Sequence, residues 1–273
     1  MLAPMEGYTD AALRTLCFRH GADLTFTEMA HVGSLLRGNR LTLARVAAHD
    51  STPVQIQLLT GREEELSRFI DRFQSFPGFN GFNLNLSCPS PDVIRQGKGA
   101  ALIKRAAKTE KLVSVIKRCG YAVSVKMRLG TNAHEKALKV YLNCLRGVDA
   151  DFFVVHAKTA SQGSDEPTDY SVYPECVEAT GGKPVVANGD VDSAEKVKLL
   201  HGMRVAGVMV GRAALRDPSI FNALKNELGL NSPSKPIPKL KKLVDEYFTL
   251  SEGVGSEKYR SDFLRVVGRK GSI

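Results

Sequence analysis

Residues 81–91 read GFNLNLSCPSP, and two halves of different physical character meet in them. Phe82, Leu84 and Leu86 alternate with Asn83 and Asn85, the period of a short strand whose two faces differ. Ser87-Cys88-Pro89-Ser90-Pro91 then cannot continue a strand or start a helix cleanly, because each proline lacks an N–H and restrains the residue before it. The Cys88 thiol is thereby held at a strand's C-terminal end, on a loop stiffened from both sides. In a parallel α/β barrel that end carries the chemistry. An arbitrary cysteine at such a place is more often a small buried core residue. What surrounds this one reverses the balance.

Strand-like runs recur on both sides. Residues 2–5, 24–28 and 54–58 precede it, and residues 123–127, 152–156, 185–187 and 207–211 follow. Helical or capped sequence comes after each. Thr9 or Asp10 caps a helix through Leu13, Leu16 and Cys17 that stops at Gly21, and Glu63, Glu64 and Glu65 open another where the dipole favours acids. Residues 98–107 and 109–119 read as helices with Thr109 as a cap, and residues 132–145 read as one helix. Asp192 or Ser193 begins a helix ending before Gly202, and Pro218 starts a closing helix near its first position. Eight strands alternating with helices predict a (β/α)8 TIM barrel over residues 1–230. A doubly wound sheet usually has fewer strands, and no G-x-G-x-x-G follows the first strand here. Residues 231–238, NSPSKPIP, read as a proline-rich linker, and the basic stretch to residue 273 as a short C-terminal helical appendage docked on the barrel or on RNA.

Composition narrows the partners. A chain of 273 residues with 43% hydrophobic and 25% charged residues is ordinary for a globular protein. It has no apolar run long enough to span a bilayer and no basic-then-apolar leader, so no membrane role is expected. Five scattered cysteines without a C-x-x-C pair argue against disulfides and a metal site, and for a reducing, cytoplasmic setting. A net charge of +9 suits a polyanion such as RNA. Oligomeric state cannot be read from spacing, and a monomer is the default expectation.

Polar residues mark the C-terminal strand ends: Gln57, Asn85, Lys126 with Arg128, His156, Asn188-Gly189-Asp190 and Gly211-Arg212. A Lys or His within an apolar strand is costly without a partner, so Lys126 and His156 on adjacent strands imply an anionic or hydrogen-bonding ligand between them. Loops after the seventh and eighth strands are the usual phosphate cradle of such barrels. Gly189, Gly211 and Arg212 suit that role.

These residues also carry a resemblance. APMEGYTD (3–10), TEM (27–29), VQIQL (54–58), NLSCPSP (85–91) with GKGAAL (97–102), VKMRLG (125–130), VHAKT (155–159), VANGD (186–190) and VMVGRAAL (208–215) look like the tRNA-dihydrouridine synthases. The resemblance runs in order from Leu2 to about Phe221. It implies an FMN barrel that reduces the C5–C6 bond of uridine in tRNA, with NADPH as the electron source. By motif match, Pro4 and Met5 lie along the flavin and Gln57 hydrogen-bonds it. Lys126 and His156 stand at its pyrimidine and ribityl side, and Asn188, Gly189, Asp190, Gly211 and Arg212 surround the phosphate. Asn85 and Arg128 face the substrate base, and Cys88 supplies the proton to C5 after hydride reaches C6. An ordinary thiol, pKa about 8.5, is protonated at neutral pH and suits a general acid. The base must leave its stack to react, so a basic rim is expected. Lys158 stands where the family more often has Arg, and the C-terminal segment is short beside the family's helical RNA-binding domain. The alternatives are an FMN barrel oxidoreductase acting on a small dihydropyrimidine-type substrate and a non-catalytic RNA-binding barrel.

Overall fold

A computed structural model describes residues 1–254 and 257–269; the end of the basic C-terminal stretch, residues 270–273, lies outside the described residues. Its strands are β1 (Thr25–Phe26), β2 (Ala30–His31), β3 (Val54–Leu59), β4 (Phe79–Leu86), β5 (Val123–Met127), β6 (Phe152–His156), β7 (Val185–Asn188) and β8 (Gly207–Met209). All pair in parallel, in the order β1-β3-β4-β5-β6-β7-β8, with β2 continuing the line of β1 along β3. Helices alternate with the strands, as a barrel requires.

The segment expected as the first strand is shorter than its sequence suggests. Only Leu2 forms a bridge, to Val210, yet it closes the curl: Leu2 N–H donates to Leu24 O at 2.9 Å and Ala3 N–H to Val210 O at 2.8 Å. Pro4 has no N–H to extend the ladder, and Met5 N–H turns to the Thr9 hydroxyl at 2.9 Å. The second expected strand, residues 24–28, is shortened to β1, and β2 forms beyond it, because Thr27 uses its hydroxyl rather than its main chain to receive Gln57 N–H at 3.0 Å.

Alternation along β4 sends Phe82, Leu84 and Leu86 outward into the large core between sheet and helices. There Phe82 meets the rings of Phe69, Phe73, Phe79 and Tyr121 at 4.9–6.0 Å. Asn83 and Asn85 point the other way, into the barrel. The interior is divided. Ala3, Leu24, Phe26, Val154, Val186 and Met209 form an apolar cluster on one side. Amides and hydroxyls fill the other, and the amides are satisfied by one another, by the Ser124 hydroxyl and by main-chain groups.

Four local differences have physical causes. Pro91 does begin a helix (Pro91–Arg95), because its missing N–H costs nothing in the first turn. Residues 98–107 form a 3-10 turn at Gly99–Leu102, and the next helix, Ala106–Arg118, contains Thr109 inside it rather than as a cap; that side chain is buried and bonds Leu102 O at 3.3 Å. Residues 132–145 split into Ala133–Ala137 and Val140–Gly147 because Lys139 adopts the left-handed region, φ 52°. The closing helix begins at Ile220, two residues after Pro218. Beyond residues 231–238, helices Leu240–Ser251 and Glu257–Val266 bury Leu243, Tyr247, Phe263 and Val266 in the same core that holds Leu13 and Leu16.

Candidate active site

The C-terminal strand ends surround a cleft of about 640 Å³, within the usual range for small-ligand sites. Ten of the residues singled out from the sequence line it: Pro4, Met5, Lys126, Arg128, His156, Asn188, Gly189, Asp190, Gly211 and Arg212. Lys158, noted from the sequence as standing where the family more often has Arg, lines it too, as do the stretch Gly163–Pro167 and Arg216, which were not foreseen there.

Gln57, Asn85 and Cys88 stand outside that lining, in a hydrogen-bonded chain that adjoins it. Ser124 hydroxyl donates to Gln55, and Asn83 Nδ2 donates to Ser124 Oγ at 2.7 Å. Gln57 Nε2 donates to Asn83 Oδ1 at 2.8 Å, and Asn85 Nδ2 donates to Gln57 Oε1 at 2.8 Å. Asn85 Oδ1 then receives the backbone N–H of Ser87 at 2.9 Å and of Cys88 at 2.8 Å. The strand's polar face therefore fixes the loop that follows it. Ser87 Oγ links the loop to β5, donating to Lys126 O at 2.9 Å and receiving Lys126 Nζ at 3.5 Å. Gly99, at φ +57°, packs so closely under Cys88 that a Cβ there would lie 3.0 Å from the Cys88 Cβ. Burial pushes the half-buried Cys88 thiol above its ordinary pKa, and nearby Glu6 pushes the same way; the Ser90 N–H and Arg128 oppose. The thiol is protonated at neutral pH.

Positive charge is concentrated inside. Lys126 is 7% exposed, and burial, helped by Arg128, lowers its pKa to about 7. Arg128 donates to Thr159 O at 2.6 Å, while its Nε is buried without a partner. Burial holds His156 well below its ordinary value, and Lys126, Arg128, Lys158 and Arg212 add to the effect. Such a set is unfavourable when nothing negative lies within it.

Asp190 sits on the β7–β8 side, at φ 50°. It pairs with Arg212, receives the Thr168 hydroxyl at 2.6 Å and lies 3.3 Å from Lys158 Nζ. Burial raises its pKa, but Thr168 and the two cations outweigh that and leave it below the ordinary carboxylate value. Lys158, 2% exposed, also donates to Ser164 O at 2.9 Å, which ties down the 163–167 stretch. Neighbouring Gly189, at φ +121°, has no room for a side chain: a Cβ would approach Thr168 at 2.8 Å and His156 at 3.0 Å. Asn188 closes this wall by donating Nδ2–H to Met209 O at 2.9 Å.

The site is a barrel mouth in which buried cations gather next to the Cys88 loop, tied to it through Ser87 and Lys126. A family model described as dihydrouridine synthase matches residues 1–267, and the chain belongs to that family. A probable tRNA-dihydrouridine synthase of Helicobacter pylori is 31% identical over 255 residues, 90% of this chain and 75% of that protein. A probable tRNA-dihydrouridine synthase of Aquifex aeolicus is 29% identical, over 94% of this chain and 82% of that protein. A tRNA-dihydrouridine synthase B of Xanthomonas campestris is 28% identical, over 86% and 71% respectively. Among the described residues no group of three or more His, Cys, Asp or Glu could hold a metal ion, and no helix is long and apolar enough to cross a membrane.

Proposed function

We propose that this protein reduces uridine to 5,6-dihydrouridine in tRNA, with FMN held in the cleft and NADPH as electron source. The observation that carries the reading is the Cys88 loop fixed, through Asn85 and Ser87, next to a buried cluster of cations. A ligand with negative charge at both ends fits that cluster: a phosphate on the Lys158 and Arg212 side, and a polar ring system on the side where Arg128 Nε lacks a partner and burial lowers the Lys126 pKa to about 7. Asn188, Gly189, Gly211 and Arg212 would hold the phosphate, with Asp190 orienting Arg212 and Lys158. Pro4 and Met5 would lie along the ring system, Gln57 would bond it, and Lys126 and His156 would stand at its pyrimidine and ribityl side. When bound, reduced FMN supplies a hydride for C6 of the uracil.

The chain's own residues do the rest. Asn85 and Ser87 set the position of the Cys88 loop, and Cys88 Sγ–H gives its proton to C5. Asn85 and Arg128 face the base, where a positive charge favours the negative charge that develops toward O4. The basic surface of a chain carrying +9 holds the phosphates of the RNA.

The test is Cys88→Ala. Bound flavin and tRNA affinity stay at wild-type level, while the rate of uridine reduction falls about 100-fold or more, the range of general acid catalysis. Undiminished turnover would remove Cys88 from the proton step.

A further inference from the structure

The fully buried Glu28 carboxylate belongs to the TEM stretch but does not line the cleft. Its Oε1 receives the backbone N–H of Gly7 and, at 3.1 Å, that of Tyr8. Its Oε2 receives the phenol of Tyr259 and lies 3.5 Å from Arg45 Nε. Four donors from three distant parts of the chain thus converge on one carboxylate. A buried carboxylate survives only when its lone pairs are filled, so these parts are held together or the charge is stranded.

The turn they hold leads directly into the cleft. Tyr8 N–H and Thr9 N–H both donate to Met5 O, at 3.1 and 3.0 Å, and Met5 lines the cleft. Gly7 adopts φ +82°, which a side chain would strain. Glu6, the next residue after Met5, pairs with Arg45 Nη1 at 3.1 Å, so Arg45 bridges Glu6 and Glu28. A second phenol repeats the arrangement from the neighbouring helix: Tyr247 donates to Asp10 Oδ2 at 3.1 Å, where this turn enters the Ala11–Arg19 helix.

We propose that Glu28 is a positioning residue. It fixes the Met5–Thr9 turn at the mouth of the cleft and joins it to the C-terminal helix through Tyr259, so that the rim of the cleft beyond Met5 is built from residues 6–9 and that helix. The inference rests on reading the cleft as the site of uridine reduction. It places the effect of Glu28 on the step that uses the RNA, since Glu28 bonds Gly7 and Tyr8, which lie outside the cleft lining, while Met5 keeps its own bond to Thr9 and the phosphate side is held separately by β7 and β8.

Flavin-loaded Glu28→Gln and Tyr259→Phe proteins test this, with Tyr259→Phe removing a single hydroxyl and keeping the fold if the buried amide does not. Hydrogen exchange of the 5–9 segment is followed beside the two half-reactions, reduction by NADPH and reoxidation by unmodified tRNA. The expected result is about tenfold faster exchange and about tenfold slower reoxidation for Glu28→Gln. Tyr259→Phe shifts both in the same direction by a smaller factor, and flavin content and the rate of NADPH reduction are unchanged in both. Wild-type exchange and reoxidation in both variants would overturn the proposal. Equal losses in flavin content and in both half-reactions would also overturn it, by reducing Glu28 to a structural role. If tRNA fails to reoxidise even the wild-type protein, the functional reading fails and the positioning claim is decided by the exchange rates alone.

Discussion

Lys126 shows how one residue records its own burial. Burial lowers its pKa from 10.5 to about 7, so between those values the unfolded chain binds a proton that the folded chain does not. Stability of the flavin-free protein therefore rises with pH across that window and is lowest below it, where a charge must be buried. Lys126→Met lacks this linkage. Its urea midpoint exceeds that of wild type by most near pH 7, and the gap narrows toward pH 10; a constant gap would show that Lys126 is solvated. The exceptional nature of this lysine was legible in the sequence, because a cation inside VSVKM has no favourable solvent-facing alternative. So was Cys88, set off by two prolines. Glu28 was not. Its hydrogen-bond partners lie 20, 21 and 231 residues away, and nothing in a local pattern announces a contact at such range.

At the scale of elements, periodicity found β3 to β7 almost residue for residue, because their apolar runs are bounded by glycine, proline or charge. It overstated the first strand, since Pro4 stops a ladder without changing the hydrophobic pattern around it. It also joined two helices across Lys139, whose left-handed backbone is imposed by the fold rather than by a glycine. The helix Tyr173–Ala179, with Pro174 in its first turn, gave too short a pattern to be singled out. The C-terminal helices carry a testable contact of their own. Tyr247 is fully buried, and its hydroxyl is a donor to Asp10, the residue that caps Ala11–Arg19 through Leu13 N–H at 2.9 Å. Tyr247→Phe leaves that buried carboxylate one partner short and lowers stability by about 1–3 kcal/mol in urea unfolding. No change in the midpoint would mean that the helix is held by packing alone.

For the whole molecule, the barrel follows from the count and order of strands, and the chemistry from their polar ends. Closing the curl brings residues of β5 and β6 opposite those that follow β7 and β8, which linear spacing could suggest but not measure. What the sequence concealed is the division of the interior. Amides on β3 and β4 hold the thiol loop, and an apolar cluster supports the opposite wall beneath the cation site. The most direct test is the absorbance spectrum of the purified protein, followed through bleaching by NADPH and reoxidation by unmodified tRNA. Flavin bands that bleach and then return faster with tRNA than in buffer are the expected result. A protein that takes up no flavin even on reconstitution, or whose reduced flavin ignores tRNA, would contradict the account.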